Sequence, residues 1–142
     1  MPTVQEILRL RPQSLVSITP TATVYEALEL MARHDVGAVV VLDSGRLTGM
    51  FSERDYARKV ILFGKSSRDL LVQDIMTPRV LVVSPTDSIE TCMALMTSKR
   101  VRHLPVCEGH AVVGLVSIGD VVKAMLDDQR FVIEQLEHYI SA

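Results

Sequence analysis

The chain has no tryptophan, only 4% aromatic residues and two cysteines among its 142 residues. An interior with so few rings must be built from Val, Leu, Ile, Met and Ala, and a hydrophobic fraction of 48% supplies them. Cys92 and Cys107 have no metal-type spacing and fall at positions read as core, where cysteine behaves as a small hydrophobe. Long apolar runs are missing too. The longest, Gly37–Leu42 and Val80–Val83, have the length of buried strands and fall far short of the roughly 20 residues that span a bilayer. Met1–Arg11 carries Glu6, Arg9 and Arg11 and no long apolar segment, so the expectation is a cytoplasmic protein without a secretory leader. Neither sign of charge dominates; a net charge of −2 gives no reason to expect nucleic acid or a membrane surface as partner. Nucleotide hydrolysis would want a Walker-type glycine loop, but Gly64-Lys65-Ser66 lacks the upstream glycine. No His, Cys or carboxylate cluster has metal-ligand spacing. The expectation is a protein that is not an enzyme and needs no metal.

What the chain does have is an internal repeat. Shifted by 65 positions, Val16–Lys59 aligns without a gap onto Leu81–Ala124. Pro20 falls on Pro85, Thr21 on Thr86, Leu30 on Leu95, Met31 on Met96, Val36 on Val101 and Val41 on Val106. Gly49 falls on Gly114, Ser52 on Ser117 and Asp55 on Asp120. A copy of roughly 45 residues is too small to bury a good core alone. The two copies should therefore pack on one another with pseudo-twofold symmetry, leaving two related clefts.

Each copy reads as strand, helix, two strands, helix. The strand-like runs Val16–Ile18 and Val80–Val83 stop at Thr19-Pro20 and Ser84-Pro85, since the residue before proline resists helix. Thr23, and Asp87 or Ser88, offer helix-capping oxygens. Val24, Ala27, Leu28, Met31 and Ala32 form an apolar stripe at helical spacing, repeated by Ile89, Met93, Leu95 and Met96. Val36–Leu42 with Leu47–Ser52, and Leu104–Cys107 with Val112–Ser117, read as hairpins around Asp43-Ser44-Gly45 and Glu108-Gly109-His110. A second helix follows each hairpin, burying Tyr56, Val60 and Ile61 in one copy and Val121, Val122 and Met125 in the other. Gly64–Asp69 is a polar connection. Phe131, Ile133, Leu136 and Tyr139 or Ile140 then lie at helical spacing with no repeat left to cover, which suggests a partner subunit.

The hairpins end in one constellation: Gly49-Met-Phe-Ser52-Glu-Arg54-Asp55 and Gly114-Leu-Val-Ser117-Ile-Gly119-Asp120. A strand here runs into a helix start, where N–H groups and the positive end of the helix dipole attract phosphate. A first-turn carboxylate suits two ribose hydroxyls, as in dinucleotide folds. Ser-x-x-Asp is also close to a capping box, and either copy could use it to close a helix and for nothing else. Arg54 is matched by Gly119, and Arg102-His103 by Gly37-Ala38, which makes Arg54, Arg102 and His103 the candidate phosphate-facing cations, with ordinary exposed residues at a strand start the lesser alternative for Arg102 and His103. His34, His110 and His138 have no place in the pattern and are expected in solvent.

These signals together resemble a tandem pair of cystathionine beta-synthase (CBS) domains, the Bateman module, in its stand-alone form. They are Thr-Pro-Thr and Ser-Pro-Thr before the first helix, Arg102-His103-Leu104-Pro105-Val106 entering the hairpin, Gly-x-x-Ser-x-x-Asp ending it, and the lead-in Ile75-Met76-Thr77-Pro78. The stretch from Ser52 to Lys59 is also typical of that form. The resemblance implies an α/β (α+β) fold of two β-α-β-β-α repeats packed with pseudo-twofold symmetry. It divides the chain into an N-terminal extension (1–15), a first repeat (16–63), a linker (64–74), a second repeat (75–126) and a C-terminal amphipathic helix (127–142). It implies an adenine nucleotide as ligand (AMP, ADP, ATP or NAD(H), in some members S-adenosylmethionine), a homodimer, and a target protein to be regulated. By position, Asp55 and Asp120 would hold ribose hydroxyls, and Ser52 and Ser117 would touch ribose or phosphate. Adenine would lie near Pro12, Gln13, Val36, Gly37 and Ala38 at the Asp120 site. At the Asp55 site it would lie near Met76, Thr77, Pro78, Val101, Arg102 and His103. An adaptor that binds a partner enzyme and retains only vestigial nucleotide sites is the alternative reading.

Overall fold

The computed structural model describes residues 2–10 and 15–141. In chain order the elements are α1 (Val4–Leu10), β1 (Ser17–Ile18), α2 (Val24–His34), β2 (Ala38–Asp43), β3 (Arg46–Ser52) and α3 (Glu53–Lys59). A 3-10 turn (Ile61–Phe63), α4 (Val72–Ile75), α5 (Ile89–Lys99), β4 (His103–Glu108), β5 (Ala111–Ser117) and α6 (Ile118–Ser141) follow. Two compact units emerge. The first-repeat unit holds the residues from β1 to Leu81 together with 108–113, and the second-repeat unit holds α1, 82–107 and the residues from 114 onward.

In the first-repeat unit β1 runs parallel to β2, which pairs antiparallel with β3. Asp43 and Arg46 close the hairpin around Ser44 and Gly45, whose φ of 52° and 82° are those of the turn that matches strand twist. Thr23 Oγ1 accepts the Glu26 N–H at 3.1 Å and starts α2. Val24, Ala27 and Met31 of α2 then bury against Val39, Val41 and Phe51 of the sheet. The second-repeat unit is built alike: Ser88 caps α5, and Ile89, Cys92 and Met96 pack on Leu104, Val106 and Val116. Asp35 and Arg100, 65 apart, end α2 and α5 in the left-handed conformation.

Each unit also takes in the lead-in helix that the sequence places before the other repeat. Val72-Gln73-Asp74-Ile75 packs Val72 and Ile75 into the first-repeat core, with bonds from Val72 N–H to Ala22 O (2.8 Å) and Gln73 N–H to Pro20 O (3.0 Å). Val4-Gln5-Glu6-Ile7 repeats this in the second-repeat unit, with Val4 N–H to Asp87 O and Gln5 N–H to Pro85 O, both 2.9 Å.

Several expectations need correction. Val80–Val83 shrinks to one parallel bridge, Val83 with Val106. In the first repeat the Val40 N–H reaches Val16 O, but the position matching Val40 is Pro105, which has no N–H to give. Ile61 is 56% exposed because α3 ends at Lys59 and the tighter turn rotates it outward. Ala32 and Val122 are likewise exposed, and Cys107 is only half-buried while Cys92 is buried. The second helix of repeat two and the C-terminal helix are one continuous α6 of 24 residues.

Candidate functional site

In the first-repeat unit, β3 delivers Ser52 to the start of α3, where a reciprocal capping box forms. Ser52 Oγ accepts the Asp55 N–H at 3.2 Å, and Asp55 Oδ2 accepts the Ser52 N–H at 3.0 Å and its hydroxyl at 3.2 Å. The Glu53 N–H goes to Gly37 O at 3.0 Å, so the Glu53 and Asp55 N–H groups already have protein acceptors. The second-repeat unit repeats the geometry. The Ser117 N–H reaches Asp120 Oδ2 at 2.9 Å, the Asp120 N–H reaches Ser117 Oγ at 3.1 Å, and the Ile118 N–H reaches Arg102 O at 2.9 Å.

The lead-in completes the Asp55 site. Thr77 pairs with Met50 through N–H···O bonds of 2.9 and 2.8 Å, and its hydroxyl donates to Asp55 Oδ1 at 3.2 Å. Gly49 makes this approach possible: a Cβ there would lie 2.6 Å from Met76 Sδ and 2.8 Å from Thr77 O. Gly114 plays the same part for Leu8 in the other unit, where an added Cβ would lie 2.8 Å from Leu8 Cδ2. Of the lead-in residues, Thr77 therefore reaches Asp55, while half-buried Met76 packs by Gly49 and Pro78 follows as an exposed residue.

Val36, Gly37 and Ala38 lie in the first-repeat unit, with Ala38 paired to Ser52. Val101, Arg102 and His103 lie in the second-repeat unit at the entry to β4, next to the start of α6. Pro12 and Gln13 lie outside the described residues. Arg54 and Arg102 are exposed. Burial, and secondarily the Arg102 charge, push the His103 imidazole below its usual 6.5. His34, His110 and His138 are exposed. Among the described residues no group of three or more His, Cys, Asp or Glu side chains could hold a metal ion, and no helix is long and apolar enough to cross a membrane.

Lys59 escaped the sequence reading. Its Nζ lies 3.2 Å from Asp55 Oδ1 and donates to Ile75 O at 3.1 Å. The i,i+4 spacing of Asp55 and Lys59 was the available signal.

A model of the CBS domain matches residues 4–61 and 72–127. The chain belongs to the CBS-domain family. As a CBS-domain pair it is 42% identical over 127 residues to the CBS domain-containing protein CBSX3, mitochondrial, of Arabidopsis thaliana. That match covers 86% of this chain, which spans only 62% of the length of that relative. A solved protein with CBS domains from Burkholderia ambifaria MC40-6 is 45% identical, with a TM-score of 0.86 over 90% of this chain and 96% of that one. The CBS domain protein PAE2072 from Pyrobaculum aerophilum, complexed with AMP, is 26% identical at a TM-score of 0.75, covering 84% of this chain and 89% of that one. Both lead-in helices fall inside the matched segments.

Proposed function

We propose that this CBS pair is a regulatory adenine-nucleotide-binding module, sensing energy or redox state and signalling through a conformational or dimer change. AMP, ADP, ATP or NAD(H) would bind at Asp55 with Ser52 and Thr77, and at Asp120 with Ser117. The observation that carries this is the placing of Ser52 and Thr77 on one carboxylate, Asp55, whose Oδ1 is turned away from the capping box. A carboxylate oxygen so placed can accept ribose hydroxyls, and the AMP complex of a relative supports that ligand class. The support comes from side chains: α3, at seven residues, adds little dipole. The protein itself is read as a regulator and not as a catalyst.

Isothermal titration of AMP, ATP and NADH into the apo protein tests the reading. A hydrogen bond to a charged group contributes roughly 1.5–3 kcal/mol, so Asp55→Ala and Asp120→Ala should each weaken their own site at least about tenfold. Full-strength binding by the folded double variant would reduce both aspartates to helix caps.

One observation favours the adaptor reading: both Ser-x-x-Asp motifs form reciprocal capping boxes. Wild-type protein that binds none of the three nucleotides would install it. In either case a second copy is the proposed cover for the exposed Leu126, Phe131, Ile133 and Leu136 of α6. Light scattering that gives a monomer at micromolar concentration removes the homodimer.

A further inference from the structure

Asp55 Oδ1 is the oxygen the nucleotide reading needs, and the protein already occupies it. Thr77 Oγ1 and Lys59 Nζ each lie 3.2 Å away. Oδ2 is committed to Ser52 through its N–H and its hydroxyl. The carboxylate is 14% exposed, whereas the Lys59 side chain is 42% exposed. Lys59 also spans two elements, donating to Ile75 O at the end of α4. Of the two groups on Oδ1, Thr77 is fixed by its backbone pairing with Met50, while Lys59 sits on a flexible four-carbon stem and can withdraw. The second repeat has Ala124 where the first has Lys59, so this contact belongs to one copy only.

We infer that Lys59 is an intramolecular gate on the Asp55 site, occupying the ribose-accepting oxygen until a ligand displaces it. The inference rests on the nucleotide reading above and adds the regulation of that site. Ribose hydroxyls must compete with an ammonium for the same lone pairs, so the closed pair lowers the affinity of the site. An ion pair with one exposed partner is worth up to about 1 kcal/mol, which sets the gate at roughly two- to fivefold in dissociation constant. The gate also ties ligand entry to the lead-in: displacing Lys59 releases Ile75 O, the end of the helix that packs Val72 and Ile75 into the first-repeat core.

The test uses the full chain carrying Asp120→Ala, so that one site is read. Adenosine is the main probe, because it carries no phosphate to be attracted by a lysine. Lys59→Met should tighten adenosine binding about two- to fivefold, and Lys59→Arg should leave it near the parent value. A lysine whose role is only to brace α4 predicts the opposite sign, since its loss would loosen Thr77 and weaken binding. Unchanged or weaker adenosine binding in a folded Lys59→Met variant, with AMP still bound by the parent, overturns the gate alone. Absence of binding of adenosine, AMP, ATP and NADH to every variant and to wild type overturns the gate together with the nucleotide reading.

Discussion

Replacing Gly49 by alanine should damage this protein more than the same change at Gly114, although the two glycines occupy equivalent places in the repeat. A Cβ at position 49 would meet Met76 Sδ at 2.6 Å and the backbone carbonyl of Thr77 at 2.8 Å. The sulfur can swing aside, but the carbonyl cannot: it accepts the Met50 N–H at 2.9 Å, while the Thr77 N–H reaches Met50 O at 2.8 Å. Relief therefore requires the lead-in to lift off β3. At position 114 the obstacles are Leu8 Cδ2 at 2.8 Å and Cδ1 at 3.0 Å, the far end of a flexible side chain. Overpacking against a fixed group costs about 1–3 kcal/mol. Where the neighbour can yield, the roughly 0.4–1 kcal/mol gained by restricting the unfolded chain offsets much of the cost. Gly49→Ala should thus lose about 1–3 kcal/mol, and Gly114→Ala less than about 1 kcal/mol. Urea unfolding followed by circular dichroism reads both, as a shift in midpoint at unchanged slope. Gly49→Ala should also weaken nucleotide binding at Asp55, because Thr77 moves with the lead-in. Equal losses at the two glycines, or a larger loss at Gly114, would refute the distinction between backbone and side-chain obstruction.

Stability should fall in acid through His103. Its folded pKa is depressed below 6.5 by burial, so below pH 6.5 the unfolded chain takes up a proton that the native imidazole resists. The contribution is complete above pH 6.5 and is lost as pH falls through the folded pKa; a His103→Gln variant with the same acid dependence as wild type in urea titrations at pH 7.5 and 5.5 would exclude it. Asp35 ends α2 at a φ of 52°, a conformation that suits glycine better than any residue with a side chain. Asp35→Gly should raise stability by about 0.5 kcal/mol, and a lower melting temperature would contradict this.

Much of the fold was legible because the repeat displays each local signal twice. Thr23 and Ser88 both proved to be caps, and the two hairpins lie where alternation and turn residues put them. The exchange of lead-in helices was missed for a definite reason. Val4-Gln5-Glu6-Ile7 and Val72-Gln73-Asp74-Ile75 are 68 positions apart, outside the 65-residue frame that aligns everything else. Such short helices take their place from tertiary bonds to Ala22, Pro20, Asp87 and Pro85, which no local periodicity encodes. The loss of strand at Val80–Val82 was legible in principle, since Pro105 stands where Val40 donates. The exposure of Ile61 was not, because helical spacing holds only while the helix continues, and α3 ends at Lys59.

At the site the sequence posed a choice that the geometry softens. Ser-x-x-Asp read either as a capping box or as a ribose and phosphate contact, as though one carboxylate could serve only one purpose. In the first-repeat unit the two oxygens of Asp55 are used differently: Oδ2 closes the helix with Ser52, and Oδ1 faces Thr77 and Lys59. Capping holds the carboxylate in one orientation, so a ligand that used Oδ1 would pay no rotamer entropy for positioning it. The same economy explains why the motif glycine belongs with the serine and aspartate. Without the close approach allowed at Gly49, Thr77 would not reach Oδ1, and that oxygen would be left to Lys59 alone. Glycine, serine and aspartate thus act as one unit in which the first admits the lead-in, the second fixes the carboxylate, and the third presents its remaining oxygen to whatever the lead-in and Lys59 allow.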